Sequence, residues 1–247
     1  MIIKIYAGND RNQYKDSLIR TNEVSGFVCY RLSDRGEEYL CSVKNCIEGN
    51  EQILEVTHLD GSVEKDYFSL LSKFSKDLKK TLSWDHRYQV PNAHFVLNGN
   101  NGCVGRWFMK VNKLKNHKLL TYTSEIFQYK NREYEACEIG LQEKGIYYVI
   151  FENGKNVAII DITYHKKGGI AFTIYSLEDR PELIHLAMIY YLDRIYSSLR
   201  EGCGDPDHPG GSRSIRDLGT LLTPYKEIRE LYNPNFIPYV KSLEGVN

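Results

Sequence analysis

Residues 147–196 read YYVIFENGKNVAIIDITYHKKGGIAFTIYSLEDRPELIHLAMIYYLDRIY, and this stretch decides the fold. Asn153 and Gly154 lie between two apolar runs, and both residue types accept the positive φ angles that a tight two-residue hairpin needs. A Gly pair at 168–169 relaxes a second turn. We therefore predict a three-stranded antiparallel meander over Tyr147–Leu177.

The helix predicted over Pro181–Leu199 is apolar on every side. Pro181 stands at an early helical position, where its missing N–H costs nothing. The apolar residues fall on three sides of the helix: Leu183, Ala187 and Tyr190 on one, Ile184, Met188 and Ile195 on another, and Leu186, Ile189 and Tyr196 on a third. Such a helix must be enclosed on all sides. In a chain made mainly of strands, the natural enclosure is a β-barrel.

The first 180 residues are rich in Tyr, Phe, Val and Ile, which favour strands. Short apolar or alternating runs between turn signals predict eleven strands, at Ile2–Ala7, Gly26–Arg31, Glu38–Val43, Gln52–His58, Ala93–Leu97, Val104–Val111, Leu119–Gln128, Tyr134–Ile139, Tyr147–Glu152, Val157–Tyr164 and Ile170–Leu177. A second, amphipathic helix is predicted over Asp66–Leu82, because Tyr67, Leu71, Phe74 and Leu78 recur at helical spacing.

Three segments carry a resemblance to the tubby C-terminal-like superfamily, which includes LURP-one-related proteins and phospholipid scramblases: VIFENGKNVAII (149–160), GIAFTIYS (169–176) and ELIHLAMIYYLDRIY (182–196). Val157-Ala158, Leu192-Asp193 and Ile195 match the family pattern of hairpin, strand and buried helix. The resemblance implies a closed antiparallel barrel of about twelve strands around one central helix. The chain departs from the pattern in the 47 residues after Arg200 and in the additional predicted helix.

The domain organisation predicted from these patterns is a barrel over residues 1–200 followed by a separate tail. The segment Glu201–Ser212 is rich in Gly, Pro and Asp and indicates a loop. A short helix is predicted at Pro224–Tyr232, and the chain ends with an aromatic stretch that carries Tyr232, Phe236 and Tyr239. We predict that residues 201–247 pack back on the barrel or on a partner.

Composition restricts the class of protein. Lys and Arg total 32, as do Asp and Glu, so the formal charge is zero and a dedicated nucleic-acid binder is disfavoured. With 42% hydrophobic residues, the chain is not a disordered regulator. From the N-terminal sequence we expect no secretory signal, and no apolar run reaches the length of a transmembrane helix. We expect a soluble cytoplasmic protein in which the six cysteines are reduced, without a cofactor or a structural metal.

Two groups of lysines are candidate anion-binding sites. Lys73, Lys76, Lys79 and Lys80 lie within eight residues on the second predicted helix, where they could attract an anionic membrane or could form an ordinary solvated face. Lys166 and Lys167 precede the Gly pair in a turn whose backbone N–H groups could cradle a phosphate, although the segment is not a P-loop.

Other chemistry-bearing residues have weaker patterns. Cys203, Asp205, Asp207 and His208 are metal-capable residue types in one short loop, but such a loop rarely supplies a whole coordination sphere. Asp85 and His86 could form an acid–base pair, with Trp84 and Trp107 read as core or rim aromatics. His185 on the apolar helix is interpreted as a neutral, hydrogen-bonded core residue.

The sequence favours a non-catalytic binding or scaffold module, because a barrel filled by its own helix has no interior left for a substrate. Its surface would recognise an anionic lipid or phosphate ligand, through Lys73, Lys76, Lys80, Lys166 and Lys167, or a protein partner. Two alternatives stay open. One is an enzyme with a polar site at a barrel mouth, built from Asp, His and Cys. The other is an oligomer-forming module that uses the aromatic tail.

Overall fold

The computed structural model of the protein describes residues 1–7, 25–48, 51–70, 94–99, 102–113, 121–141, 145–164, 170–190 and 226–246. Its strands are β1 (Ile2–Ala7), β2 (Ser25–Ser33), β3 (Gly36–Glu48), β4 (Glu51–His58), β5 (Val63–Leu70), β6 (His94–Gly99), β7 (Gly102–Lys113), β8 (Thr121–Tyr129), β9 (Arg132–Leu141), β10 (Gly145–Glu152), β11 (Lys155–Tyr164) and β12 (Ile170–Ser176). The helices are α1, described over 183–190, α2 (Lys226–Arg229) and α3 (Phe236–Leu243).

Every strand pairs antiparallel with its neighbours in the chain, and β1 also pairs with β12. The hydrogen-bond ladder therefore runs around a complete ring, which we call the strand ring. The predicted mainly β, antiparallel class is confirmed. All eleven predicted strands are present, with bounds that differ from the prediction by a few residues.

The predicted meander is confirmed over β10, β11 and β12, which pair in consecutive antiparallel order. At the β10–β11 turn, Asn153 has a φ of 51° and Gly154 a φ of 75°. Both values lie in the left-handed region that a primed hairpin turn requires. The Asn-Gly signal therefore fixes the register of this hairpin.

The predicted helix over Asp66–Leu82 is wrong in its first five residues, because Asp66–Leu70 belong to β5. The β4–β5 turn explains the error: Gly61 has a φ of 79°, and the Asp60 carboxylate accepts hydrogen bonds from the Ser62 amide and hydroxyl. This turn directs the chain back along β4, where ladder pairing overrides the helical spacing. Residues 71–82 lie outside the described residues.

Helix α1 lies in the interior core. All eight of its described residues are buried, and seven of them belong to one hydrophobic cluster with inward-facing residues of the strands. The ring of Tyr190 stacks on that of Tyr148 in β10, with centroids 3.7 Å apart and planes 11° apart. The described part of the helix is thus enclosed on all sides, as its sequence predicts.

A second hydrophobic cluster joins the tail to the strands. Phe236 and Val240 of α3 and Ile228 of α2 are buried in this cluster. The strand residues of the cluster include Ile2, Ile139, Tyr147, Val149 and Ile159. Residues 226–246 therefore pack on the strands of their own chain.

Helix α3 is absent from the sequence prediction, which treats the residues after Tyr232 only as an aromatic stretch. Pro238 is the third residue of this helix. The N–H groups of a first helical turn have no intrahelical partner, so a proline there removes no helical hydrogen bond. The predicted helix at Pro224–Tyr232 contains α2, which is only four residues long.

Candidate functional site

The lysines predicted to bind an anion, Lys73, Lys76, Lys80, Lys166 and Lys167, lie outside the described residues. The same holds for the remaining predicted candidates, Lys79, Asp85, His86, Cys203, Asp205, Asp207 and His208. The structure places none of them, and these sites stay predictions.

Polar residues in the interior are engaged with aromatic neighbours. His185 of α1 is buried and stacks on Tyr129, with ring centroids 4.8 Å apart. Trp107, a predicted core or rim aromatic, is fully buried, and its indole N–H donates to the buried Glu125 carboxylate at 3.2 Å. Both polar side chains, His185 and Glu125, are therefore accommodated within the packed core.

The segment that enters α1 carries a polar network that the sequence did not predict. The buried Arg180 guanidinium donates to the Tyr134 hydroxyl at 3.0 Å and pairs with the Glu152 carboxylate at 2.8 Å. The Tyr134 hydroxyl in turn donates to Glu182. Arg132 also reaches both Tyr134 and Glu182, at 3.2 Å each. Strands β9 and β10 are thereby tied to the start of the helix.

We call this set of contacts the Arg180 network. Its arginines form ion pairs with carboxylates. Arg180 has a second carboxylate partner in Glu178 at 3.0 Å. Burial raises the pKa of Tyr134, which keeps its hydroxyl protonated as a donor. Since these cations are paired with carboxylates, the network ties β9 and β10 to the start of α1 and is a poor candidate for anion binding.

A different pair of cations borders a small recess at the rim of the strand ring, where β7 begins and β8 ends. Val104, Gly105, Arg106, Gln128 and Lys130 line a cavity of about 150 Å³, which we call the β7–β8 recess. Arg106 and Lys130 are exposed side chains. The volume is several times that of one water molecule and suits a small polar or ionic group.

Local backbone geometry shapes this recess. The Lys130 amide donates to the Val104 carbonyl at 2.7 Å, with Lys130 in the left-handed region at a φ of 52°. A Cβ on Gly105 would lie 2.5 Å from the Gln128 carbonyl oxygen, so only glycine allows β7 and β8 to approach so closely here. The recess is therefore formed by backbone features of two adjacent strands.

Two of the five residues that line the β7–β8 recess, Arg106 and Lys130, carry a positive charge. Within the described residues, the charged groups of Arg106 and Lys130 make no ion pair; the Lys130 ammonium lies 5.3 Å from the centroid of the Tyr129 ring. The nearby Glu133 carboxylate accepts a hydrogen bond from the Gln128 amide at 2.7 Å. Two cations that make no ion pair within the described residues can bind an anion such as a phosphate group. Neither cation belongs to a sequence motif, which is why sequence reasoning missed this site.

A half-buried carboxyl group lies on β11, beside the second hydrophobic cluster, which joins the tail to the strands. Burial raises the pKa of Asp161 to about 6. Its electrostatic neighbours include Tyr147 of β10, Tyr175 of β12 and Tyr232 of the tail. Tyr147 and Tyr232 pack with ring centroids 4.8 Å apart. Asp161 therefore titrates next to the contact between the tail and the strands.

We expect Asp161→Asn to remove a pH-dependent loss of stability. Because the folded-state pKa of Asp161 lies above its unfolded value of about 3.9, ionisation destabilises the folded state as the pH rises from about 4 to 6. At pH 7 the free energy of unfolding of the variant should be roughly 1–2 kcal/mol higher than that of the natural chain, a value reduced for solvent screening. At pH 4 the two free energies should be equal. Urea unfolding across this range measures the difference.

Asp60→Asn is the control, because the pKa of Asp60 is shifted in the opposite direction to that of Asp161. Hydrogen bonds from Ser62 lower the pKa of Asp60, so its contribution is present at neutral pH and is lost as the pH falls through the folded-state pKa. If the difference in free energy of unfolding between Asp161→Asn and the natural chain were the same at every pH, ionisation of Asp161 would not destabilise the folded state, and the prediction would be contradicted.

None of the helices in the described ranges combines the length and the apolar character that crossing a membrane requires. The same residues contain no group of three or more His, Cys, Asp or Glu side chains arranged to hold a metal ion. No family model, no curated protein and no solved structure matches the chain.

Proposed function

We propose that the chain is a non-catalytic binding module of the tubby-like type, in which a closed antiparallel barrel surrounds the helix predicted over 181–199. The observation that carries this proposal is the burial of every described residue of α1 among inward-facing strand residues. Ligand-holding barrels keep an open interior, whereas here the helix and its stacked tyrosines occupy that space. Recognition is therefore assigned to the outside of the barrel.

The ligand class we propose is a phosphate-bearing anion, bound at the β7–β8 recess. Support comes from the two cations Arg106 and Lys130, which share the recess and lack an ion pair within the described part of the chain. The cations of the Arg180 network differ in this respect, because carboxylates already neutralise them. The lysines at 73, 76, 80, 166 and 167 stay candidates for a wider basic surface around the same ligand.

The packing of the tail weighs against a module that uses its aromatic end to join a neighbouring chain. Phe236 is buried on the strands of its own chain, and Tyr232 packs on Tyr147. Tyr239 is 56% exposed and is the one predicted tail aromatic that stays available at the surface. We therefore assign the tail to intrachain packing.

The binding test compares a recess variant with a matched surface variant. Arg106→Gln/Lys130→Gln removes both recess cations, and Lys44→Gln/Lys155→Gln removes two other exposed cations. Flotation with phosphatidylcholine vesicles, with and without an anionic phospholipid, measures the membrane-bound source of phosphate. Calorimetry with inositol hexakisphosphate measures the free one.

We expect the natural chain to bind at least one of the two phosphate sources, more weakly as salt is raised. The recess variant should lose about tenfold or more in affinity, and the surface variant should lose less than about twofold. Equal losses in the two double variants would contradict the recess as the site. Absence of binding to both sources would contradict the proposed ligand class, and loss confined to a Lys73→Gln/Lys76→Gln/Lys80→Gln variant would move the site to the predicted helix.

A further inference from the structure

Cys29 and Cys41 lie directly opposite each other on the neighbouring strands β2 and β3. Both belong to the interior cluster, with 0% and 1% exposure, and both are free thiols. Opposed residues of an antiparallel pair have Cα atoms about 4.5–5.5 Å apart, and disulfides need about 4.4–6.8 Å. The pairing of Cys29 with Cys41, beside a register shift at Tyr30, therefore places the two residues at a separation typical of disulfides.

Cys29 and Cys41 lie in a row of cross-strand neighbours that extends to a third residue on β4. The other cross-strand neighbour of Cys41 is His58, the last residue of β4. The His58 side chain is 39% exposed. Because His58 directly precedes the β4–β5 turn, local opening of that turn is the route by which a small neutral oxidant would reach Cys41.

We propose that Cys29 and Cys41 form a reversible modification site, which a hydroperoxide oxidises to a cross-strand disulfide. This inference is independent of the proposed anion binding. The thiol of Cys29 donates a hydrogen bond to the Cys41 sulfur, which lowers the pKa of Cys41 and raises that of Cys29. Cys41, which is also the thiol that pairs with the partly exposed His58, is therefore assigned as the nucleophile and Cys29 as the resolving thiol.

The reaction balances with hydrogen peroxide as the oxidant. The Cys41 thiolate attacks one peroxide oxygen; an S–O bond forms, the O–O bond breaks, and hydroxide leaves and takes up a proton to become water. The Cys29 sulfur, after losing its proton, attacks the Cys41 sulfenic sulfur; the S–S bond forms and the S–O bond breaks, with water as the leaving group. Two thiols and one peroxide give one disulfide and two waters.

Cys137 is the matched control within the same chain. It is also buried, at 4% exposure, and burial raises the pKa of its thiol to about 12. Its cross-strand partner on β10 is Val149. Cys137 therefore lacks both a thiolate and a resolving thiol on its paired strand, and it should resist the oxidant that modifies the Cys29–Cys41 pair.

The experiment treats the folded protein with hydrogen peroxide and maps its peptides under non-reducing conditions. We expect a peptide pair linked through Cys29 and Cys41 that disappears on treatment with dithiothreitol. In Cys29→Ala, dimedone should label Cys41 as a trapped sulfenic acid, and in Cys41→Ala labelling of Cys29 should be at least about fivefold lower. Cys137→Ala should leave the link unchanged.

Circular dichroism establishes that each alanine variant is folded, and the natural chain alone decides the outcome if a variant is not. A natural chain in which both thiols stay reduced overturns the proposal. So does a natural chain in which Cys41 proceeds to sulfinic acid without the link, or one in which the link forms only after denaturation.

Discussion

Glu152→Leu is expected to lower the free energy of unfolding by about 3 kcal/mol, because it leaves the Arg180 guanidinium buried without its closest carboxylate partner. The Arg180 side chain is only 4% exposed, so water cannot replace the lost partner. Its remaining carboxylate, Glu178, is 69% exposed and compensates less of the buried charge. Chemical denaturation of the variant and the natural chain measures the difference.

A double variant distinguishes the effect of leaving a buried charge unpaired from the effect of removing a side chain. In Arg180→Met/Glu152→Leu neither charge is left unpaired, and the total loss should be at least about 1 kcal/mol smaller than the sum of the two single losses. Arg31→Met is the control: Arg31 pairs with Asp179 at 3.2 Å, but both side chains are well exposed, so the cost should be below about 1 kcal/mol. Similar losses for Glu152→Leu and Arg31→Met would contradict the role given to Arg180.

Tyr190→Ala should cost about 4 kcal/mol, the range typical of a buried aromatic side chain. The ring of Tyr190 is fully buried and stacks on Tyr148 in the middle of the interior cluster. Truncation leaves a cavity that strand pairing cannot close, since the ladder on both sides of β10 fixes the position of Tyr148. Tyr239→Ala, at an exposed position on α3, should change stability by less than about 0.5 kcal/mol.

Tyr190→Phe distinguishes the ring from its hydroxyl. Within the described residues the buried Tyr190 hydroxyl has no hydrogen-bond partner, so removing it should leave stability unchanged or raise it by about 1 kcal/mol. Thermal unfolding of the alanine and phenylalanine variants tests both statements together. A loss above about 1 kcal/mol in Tyr190→Phe, or a loss below that value in Tyr190→Ala, would contradict this description of the interior.

Local patterns in the sequence were sufficient to predict most of the strands. The Asn153-Gly154 turn and the alternating runs on both sides of it specify the meander, because turn chemistry and side-chain period agree there. The error arose where local signals conflict. Residues 66–70 carry helical spacing but pair with β4. Helix α3 was not predicted, because its short aromatic segment shows no clear helical pattern.

The candidate site could not be predicted in the same way. Arg106 and Lys130 are 24 residues apart in sequence and come together only because β7 pairs with β8, with a close approach that Gly105 permits. Likewise, Arg180 meets Tyr134 through the placement of the segment before α1 against β9. Clusters of lysines along the chain are visible in a sequence, but pairs created by strand register are not.

The central claim is that helix α1 is enclosed on every side and leaves no interior space for a substrate. Lysine substitution at four successive positions tests it, because Leu186, Ala187, Met188 and Ile189 point in directions about 100° apart around the helix. We predict that each single variant loses more than about 3 kcal/mol of stability or fails to fold, since each places an unpaired charge in the core. If any one of the four kept the stability of the natural chain, the helix would have an open side, and the claim would be contradicted.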